Sequence, residues 1–162
     1  MRRLIKQREV VLDEWRYADE DPVGRERALI LPFARWKAER EQWWLWDGRL
    51  GVRIGPADPV PELKNDFTRV GLIAIEFGGM AEGRGYSQAA LLRTRYKFTG
   101  ELRAVGKIQR DQLFYLARCG FDTFELPEGA DLDVALTAFD DFSVAYQGAI
   151  DAAGVRVERR AS

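Results

Sequence analysis

The sequence predicts an α/β fold: a parallel sheet of strand–helix repeats, curled like part of a TIM barrel, after an N-terminal β-hairpin. Three observations carry the prediction. Short apolar runs and helix-length segments alternate about five times along the chain. Beyond the first segment no tight hairpin signal separates successive strands, so each must be reached by a crossover, which makes neighbours parallel. The later strands also carry a charge opposite their aliphatics, which a sheet covered by helices on both faces would not accept. A flat, doubly wound open sheet is the alternative.

The elements follow in order. Arg3 to Tyr17 alternates loosely around Leu4, Val10, Val11, Leu12, Trp15 and Tyr17 and predicts a hairpin turning near Gln7-Arg8. Asp19 to Gly24 is a polar closing loop. Ala28-Leu29-Ile30-Leu31 is a buried strand ended by Pro32, and Phe33 to Trp46 reads as one helix stopped by Asp47-Gly48. Gly51 to Ile54 is the second strand, with Asp58 and Pro59 opening a helix that aligns Val60, Leu63 and Phe67. Leu72 to Phe77 is the strongest strand; after a glycine-rich loop, Ser87 is expected to cap a helix presenting Ala89, Leu92 and Tyr96. Leu102 to Val105 precedes a helix over about Gln109 to Cys119, stopped by Gly120. Thr123 to Leu126 ends at Pro127, and a last helix opening near Asp131 aligns Leu132, Ala135, Leu136, Phe139, Ser143 and Tyr146. Residues 1–150 read as one domain, of which 1–24 are hairpin and loop, and 151–162 as a tail.

Period-two alternation places Arg53, Glu76, Arg103 and Glu125 on the face opposite the bulky aliphatics. Their signs alternate along the chain, so neighbouring strands would pair each charge with an opposite one. Charged interior positions of that kind are tolerated inside a β/α barrel when paired, hence the preference for a curled sheet. The set reads as an ion-pair network or as part of a site. Glu76 and Glu125 lie near strand C-termini, where such folds build their chemistry, and are the acid–base candidates.

Composition removes much chemistry. Net charge is −1, with 25 basic and 26 acidic residues, so nucleic acid and anionic membranes are not expected as partners. No long apolar run follows the basic N-terminus, and one cysteine, Cys119, fits a reducing cytoplasm. With no histidine, histidine-activated serine or cysteine nucleophiles and histidine metal sites are excluded. A lone cysteine cannot hold an iron–sulfur cluster, and neither phosphate-loop fingerprint occurs, so no cofactor or metal is expected.

The loop Gly78 to Ser87 leads from a strand into a helix. Its Arg84, Gly85, Tyr86 and Ser87 could cradle a sulfate, sulfite, phosphate or carboxylate. Glycine-rich loops after a strand more often simply turn. Arg110 follows the next strand and could join Arg84 over the same mouth or bond a carboxylate locally. Cys119 reads as a core thiol. Trp43, Trp44 and Trp46 must fan over more of a helix than one core stripe accepts, which leaves an indole for a partner, by default a second copy in a homodimer.

Several blocks carry a resemblance: Arg49 to Arg53, Gly83 to Ala89, Gly100 to Gly106, Arg110 to Phe114, Arg118 to Asp122 and Ala138 to Gln147. They resemble the bacterial family catalogued as domain of unknown function 934, over nearly the whole chain. Members are commonly encoded beside sulfite reductase and other sulfate-assimilation enzymes. The resemblance therefore implies an accessory role in assimilatory sulfite reduction, binding a partner such as sulfite reductase or a small anion. It supplies no catalytic residue, and the residues themselves show no flavin, nicotinamide, haem or cluster motif to support the oxidoreductase label some members bear. Lys107 stands where an acidic residue would be expected. The competing expectation is a small enzyme for an anionic sulfur or phosphate compound at the strand C-termini.

Overall fold

The computed structural model describes residues 2–19, 24–78 and 83–141. Among them, strands β1 (Arg3–Lys6), β2 (Glu9–Leu12), β3 (Arg16–Tyr17), β4 (Ala28–Pro32), β5 (Arg49–Ile54), β6 (Val70–Phe77), β7 (Glu101–Gly106) and β8 (Thr123–Phe124) form one sheet. Its order is β2-β1-β8-β7-β6-β5-β4-β3. The strands from β3 to β8 run parallel, while β1 is antiparallel to both β2 and β8. The expected hairpin is present over Arg3–Leu12 and turns at Gln7 and Arg8, whose φ angles of 52° and 68° are those of a two-residue primed turn, but Arg16 and Tyr17, expected within it, form β3 at the opposite edge, parallel to β4. The Gln7 N–H donates to the Asp122 carbonyl at 2.9 Å, which docks the turn beside β8.

The sheet is open but strongly curled. A flat sheet of this many strands would hold its edges about 34 Å apart at a spacing of about 4.8 Å. Here the two edges, β2 and β3, are joined by Asp13, Glu14 and Trp15 alone, and that link spans at most about 14 Å when fully extended. Only a curled sheet satisfies both. Its two faces differ accordingly. Leu31, Val52, Ile54, Ile73, Ile75, Leu102 and Ala104 pack the convex side against the helices in one large core. On the concave side Ile30, Leu72, Ala74 and Val105 form a small apolar patch filled by Trp15 and Tyr17.

The crossovers are less regular than five strand–helix units. Helices α1 (Phe33–Ala38) and α2 (Arg40–Leu45) follow β4, replacing the single expected helix. The stretch from Lys37 to Gln42 is almost wholly polar, so each half is anchored separately, by Phe33 and Trp36 and by Trp43. After β5 the expected helix is one 3₁₀ turn, Val60–Leu63. Pro61 explains it, because a proline disfavours helical backbone at the residue before it. Val60 and Leu63 are nonetheless buried. Asp58 does not cap that turn; its carboxylate accepts the Gly55 N–H at 2.7 Å.

After β6, α3 (Arg84–Ala90) runs into a π-helical turn, Leu91–Arg95. It begins before Ser87, which is exposed inside it rather than capping it. Gly85 permits the early start: a Cβ there would sit 2.5 Å from the Phe77 ring, so only glycine lets the first turn lie this close. A 3₁₀ turn, Arg110–Gln112, leads into α4 (Leu113–Arg118), and Gly120 follows at φ +115°, the expected left-handed stop. β8 is shorter than expected, though the Glu125 N–H still donates to the Ala104 carbonyl at 2.9 Å. Pro127, with no N–H, ends the ladder. The last segment opens at Asp131 as expected, with its side chain capping the helix, but forms two short helices, α5 (Leu132–Leu136) and α6 (Ala138–Asp141), in place of one. Ser143, Tyr146 and the expected tail lie outside the described residues.

Candidate functional site

The concave face and its rim hold the ionisable residues, and the strand register decides which of them meet. Arg53 pairs across the sheet with Ala74, Ala74 with Arg103, and Arg103 with Thr123. Arg53 and Arg103 therefore share a row with alanine between them, and Glu76 stands one step further along, beside Val105. The expected Arg53–Glu76 and Glu76–Arg103 pairs do not form. Of the alternating series only Arg103 and Glu125 meet, at 3.5 Å.

The centre of the cluster is Asp13, delivered by the link between the sheet edges. Arg103 is 1% exposed, and its guanidinium donates to both Asp13 oxygens at 3.0 Å. It also reaches Glu101 at 3.3 Å. Burial alone would depress the Arg103 pKa, but the Asp13 bond and the surrounding negative charge outweigh it and push it up. Arg2 bridges Asp13 at 3.2 Å and Glu125 at 3.0 Å. The Tyr17 hydroxyl donates to Glu125 at 2.7 Å, from the far edge of the sheet. Burial, then the Glu125 charge, raise the Tyr17 pKa well above its ordinary value. The guanidinium carbons of Arg2 and Arg53 lie 5.1 Å and 5.6 Å from the Tyr17 ring centre.

The two remaining concave charges face solvent. Arg53 pairs with Asp19 at 3.1 Å, and an open cavity of about 570 Å³ lies against both. Glu76 is exposed, and no hydrogen bond or ion pair reaches it from the described residues. A smaller cavity of about 180 Å³ lies at the seam, against Asp13, Trp15, Glu101 and Arg103.

The glycine-rich loop is arranged differently from the cradle its residues suggested. Arg84 donates to the Pro56 carbonyl at 2.9 Å, and Gln88, one turn on, donates to that of Gly55 at 2.9 Å, so α3 clamps the loop after β5. Gly85 is buried against Phe77, and Ser87 points to solvent. The Tyr86 ring lies 5.2 Å from both Phe77 and Tyr115, and its hydroxyl accepts from Gln112 at 3.1 Å. Arg110 donates to the Val134 carbonyl at 3.3 Å and the Thr137 hydroxyl at 2.6 Å, holding α5 instead of joining Arg84. Cys119 is buried, and burial pushes its thiol pKa up.

Sequence reasoning missed Asp13, Tyr17, Arg2 and Glu101 as members of the cluster. Glu101 was legible, since it shares the parity of Arg103. The others come from the N-terminal segment, and no local signal says which face that segment crosses. Among the described residues, no group of three or more acidic or cysteine side chains is placed to hold a metal ion, and no helix is long and apolar enough to cross a membrane.

No curated protein matches the sequence. Residues 51–155, from β5 onward, match the family described as "bacterial protein of unknown function (DUF934)", and the chain belongs to that family.

Proposed function

We propose that the protein is a binding or accessory module of assimilatory sulfite reduction that docks on a partner enzyme, rather than a catalyst in its own right. The observation that carries the reading is how the concave charges are spent. Glu125, an acid–base candidate, already accepts from Tyr17 and pairs with Arg2 and Arg103. The two terminal nitrogens of Arg103 are held by carboxylates from three segments, and only its buried Nε lacks a partner among the described residues. Groups so engaged tie the edges of the curled sheet together and have little left to offer a substrate. Apolar surface remains on the outside: in α2, Trp44 is 40% exposed and Leu45 87%. That placement suits a docking face. The sulfur connection rests on the family resemblance.

Affinity capture with the tagged chain tests the reading. Sulfite reductase should be retained by the wild-type protein and released by Leu45→Glu, which alters an exposed position and leaves the fold within about 0.5 kcal/mol of wild type. Deletion should impair growth on sulfate and spare growth on cysteine. Equal growth on both, with no capture, overturns it.

One observation favours a second reading. Glu76 stands exposed at the C-terminal end of β6, where it could act as an acid–base group in a small enzyme for an anionic sulfur or phosphate compound. Arg84 and Arg110 would hold the anion only by leaving the Pro56 carbonyl and the α5 groups they now bond. Titration calorimetry with sulfite, sulfate and phosphate decides: no binding at millimolar concentration removes this reading.

A further inference from the structure

The two concave arginines have opposite fates, and the difference points to a ligand site. Arg103 is sealed, with both Asp13 oxygens on its guanidinium. Arg53 keeps a quarter of its side chain exposed, and its ion-pair partner among the described residues, Asp19, is 61% exposed. A carboxylate that free holds an arginine weakly, because water competes for both groups. Arg53 is also preorganised. It lies near the C-terminal end of β5, and its guanidinium rests against the Tyr17 ring, which is itself tied to Glu125. The cavity beside it is walled by Pro32, Ala34, Arg35 and Glu39.

The electrostatics of that wall are simple. Arg35 holds Glu39 at 3.1 Å and the Ala18 carbonyl at 3.0 Å, so it serves as a fixed wall. Arg35 and Glu39 cancel, as do Arg53 and Asp19. If Asp19 swings into solvent, the lining carries one net positive charge, and a planar donor fork faces a cavity of about 570 Å³. That is the complement of a single group bearing two anionic oxygens.

The geometry points to Arg53 as the anchor of a binding site for a carboxylate or small oxyanion, with Asp19 occupying it as an internal substitute ligand. The site is separate from the Arg84–Arg110 mouth and from the outer face of α2, so it stands or falls independently of the docking reading. An incoming anion displaces the Asp19 carboxylate from Arg53, and the fork donates to it bidentately.

Calorimetric titration of the whole chain at low ionic strength, with acetate, sulfate and phosphate as probes, tests the site. Wild type should bind one equivalent in the millimolar range, and the stronger probe identifies whether carboxylate or inorganic oxyanion is preferred. Asp19→Asn removes the internal competitor and should tighten binding at least about twofold, the value of an exposed ion pair. Arg53→Gln should abolish binding with an unchanged thermal midpoint. Arg53→Lys, which keeps the charge but not the fork, should weaken it. Arg84→Gln should bind as wild type does. The assignment is overturned if neither wild type nor Asp19→Asn binds any probe, if Arg53→Gln binds normally, or if Arg84→Gln loses binding while Arg53→Gln keeps it.

Discussion

Replacing Asp13 by alanine should cost the fold more than any other single change to the concave cluster. The Asp13 side chain is 1% exposed and accepts from Arg103 twice, from Arg2, and from the Trp15 N–H at 3.0 Å. Without it, Arg103 keeps, among the described carboxylates, Glu101 at 3.3 Å and Glu125 at 3.5 Å, longer bonds than those it loses. Stranding a buried charge usually costs about 3–5 kcal/mol, and the two surviving partners place this case near the lower end, about 3 kcal/mol. For a chain of this size that is a fall in Tm of about 6–12 °C. Urea and thermal unfolding followed by far-ultraviolet circular dichroism measure it. The pair can be separated from its packing by the double variant Asp13→Leu with Arg103→Met, which removes both charges together. It should be less destabilised than Asp13→Ala alone, since an apolar pair of similar volume avoids the desolvation cost. An Asp13→Ala protein within about 1 kcal/mol of wild type would refute the cluster's role as the clasp of the barrel. So would a double variant with strictly additive losses.

Four further outcomes follow from the same geometry. Gly106→Ala should cost at least about 2 kcal/mol in urea unfolding, because its φ is +95° and an added Cβ would drive into the Phe77 backbone. Tyr17→Phe should lower stability by about 1–3 kcal/mol, the range for losing a hydrogen bond to a charged, half-buried partner; an unchanged midpoint would contradict the Tyr17–Glu125 bond. Asp122 has its pKa raised above 3.8 by burial, so the native state binds the proton more tightly than the unfolded chain does. Its contribution is therefore fullest at low pH and is lost as pH rises through the raised native value, and the stability of wild type relative to Asp122→Asn should decline as pH rises out of the ordinary carboxylate range. Cys119, buried with a raised pKa, should label slowly with a thiol reagent at pH 8 in the native protein and fully in denaturant; rapid native labelling would contradict its burial.

Much of the architecture was legible because its causes are local. Hydrophobic period two in β5 to β7, the Gly120 stop and the helix start at Asp131 depend on residues within a few positions of one another, and each is where the sequence implies. The curl itself was inferred correctly from Arg53, Glu76 and Arg103, since charges on alternate strand positions cannot face a second layer of helices. Local rules also explain two departures once the right residue is weighed. Pro61 prevents the helix after β5, and Gly85 moves the start of α3.

What the tertiary structure alone decided was who meets whom on the concave face. Alternation assigns a residue to a face but says nothing about its row, and the register sets Arg53 and Arg103 level with Ala74 while Glu76 stands a step away. The partner that Arg103 takes instead, Asp13, lies 90 residues away in sequence. It arrives there because the two edges of the sheet are joined by so short a link that the chain must cross the open side of the barrel. Tyr17 reaches Glu125 over 108 residues for the same reason. Side-chain identity and periodicity belong to the sequence; the row in which a charge stands, and the distant segment that neutralises it, come from strand register and from the closure of the sheet.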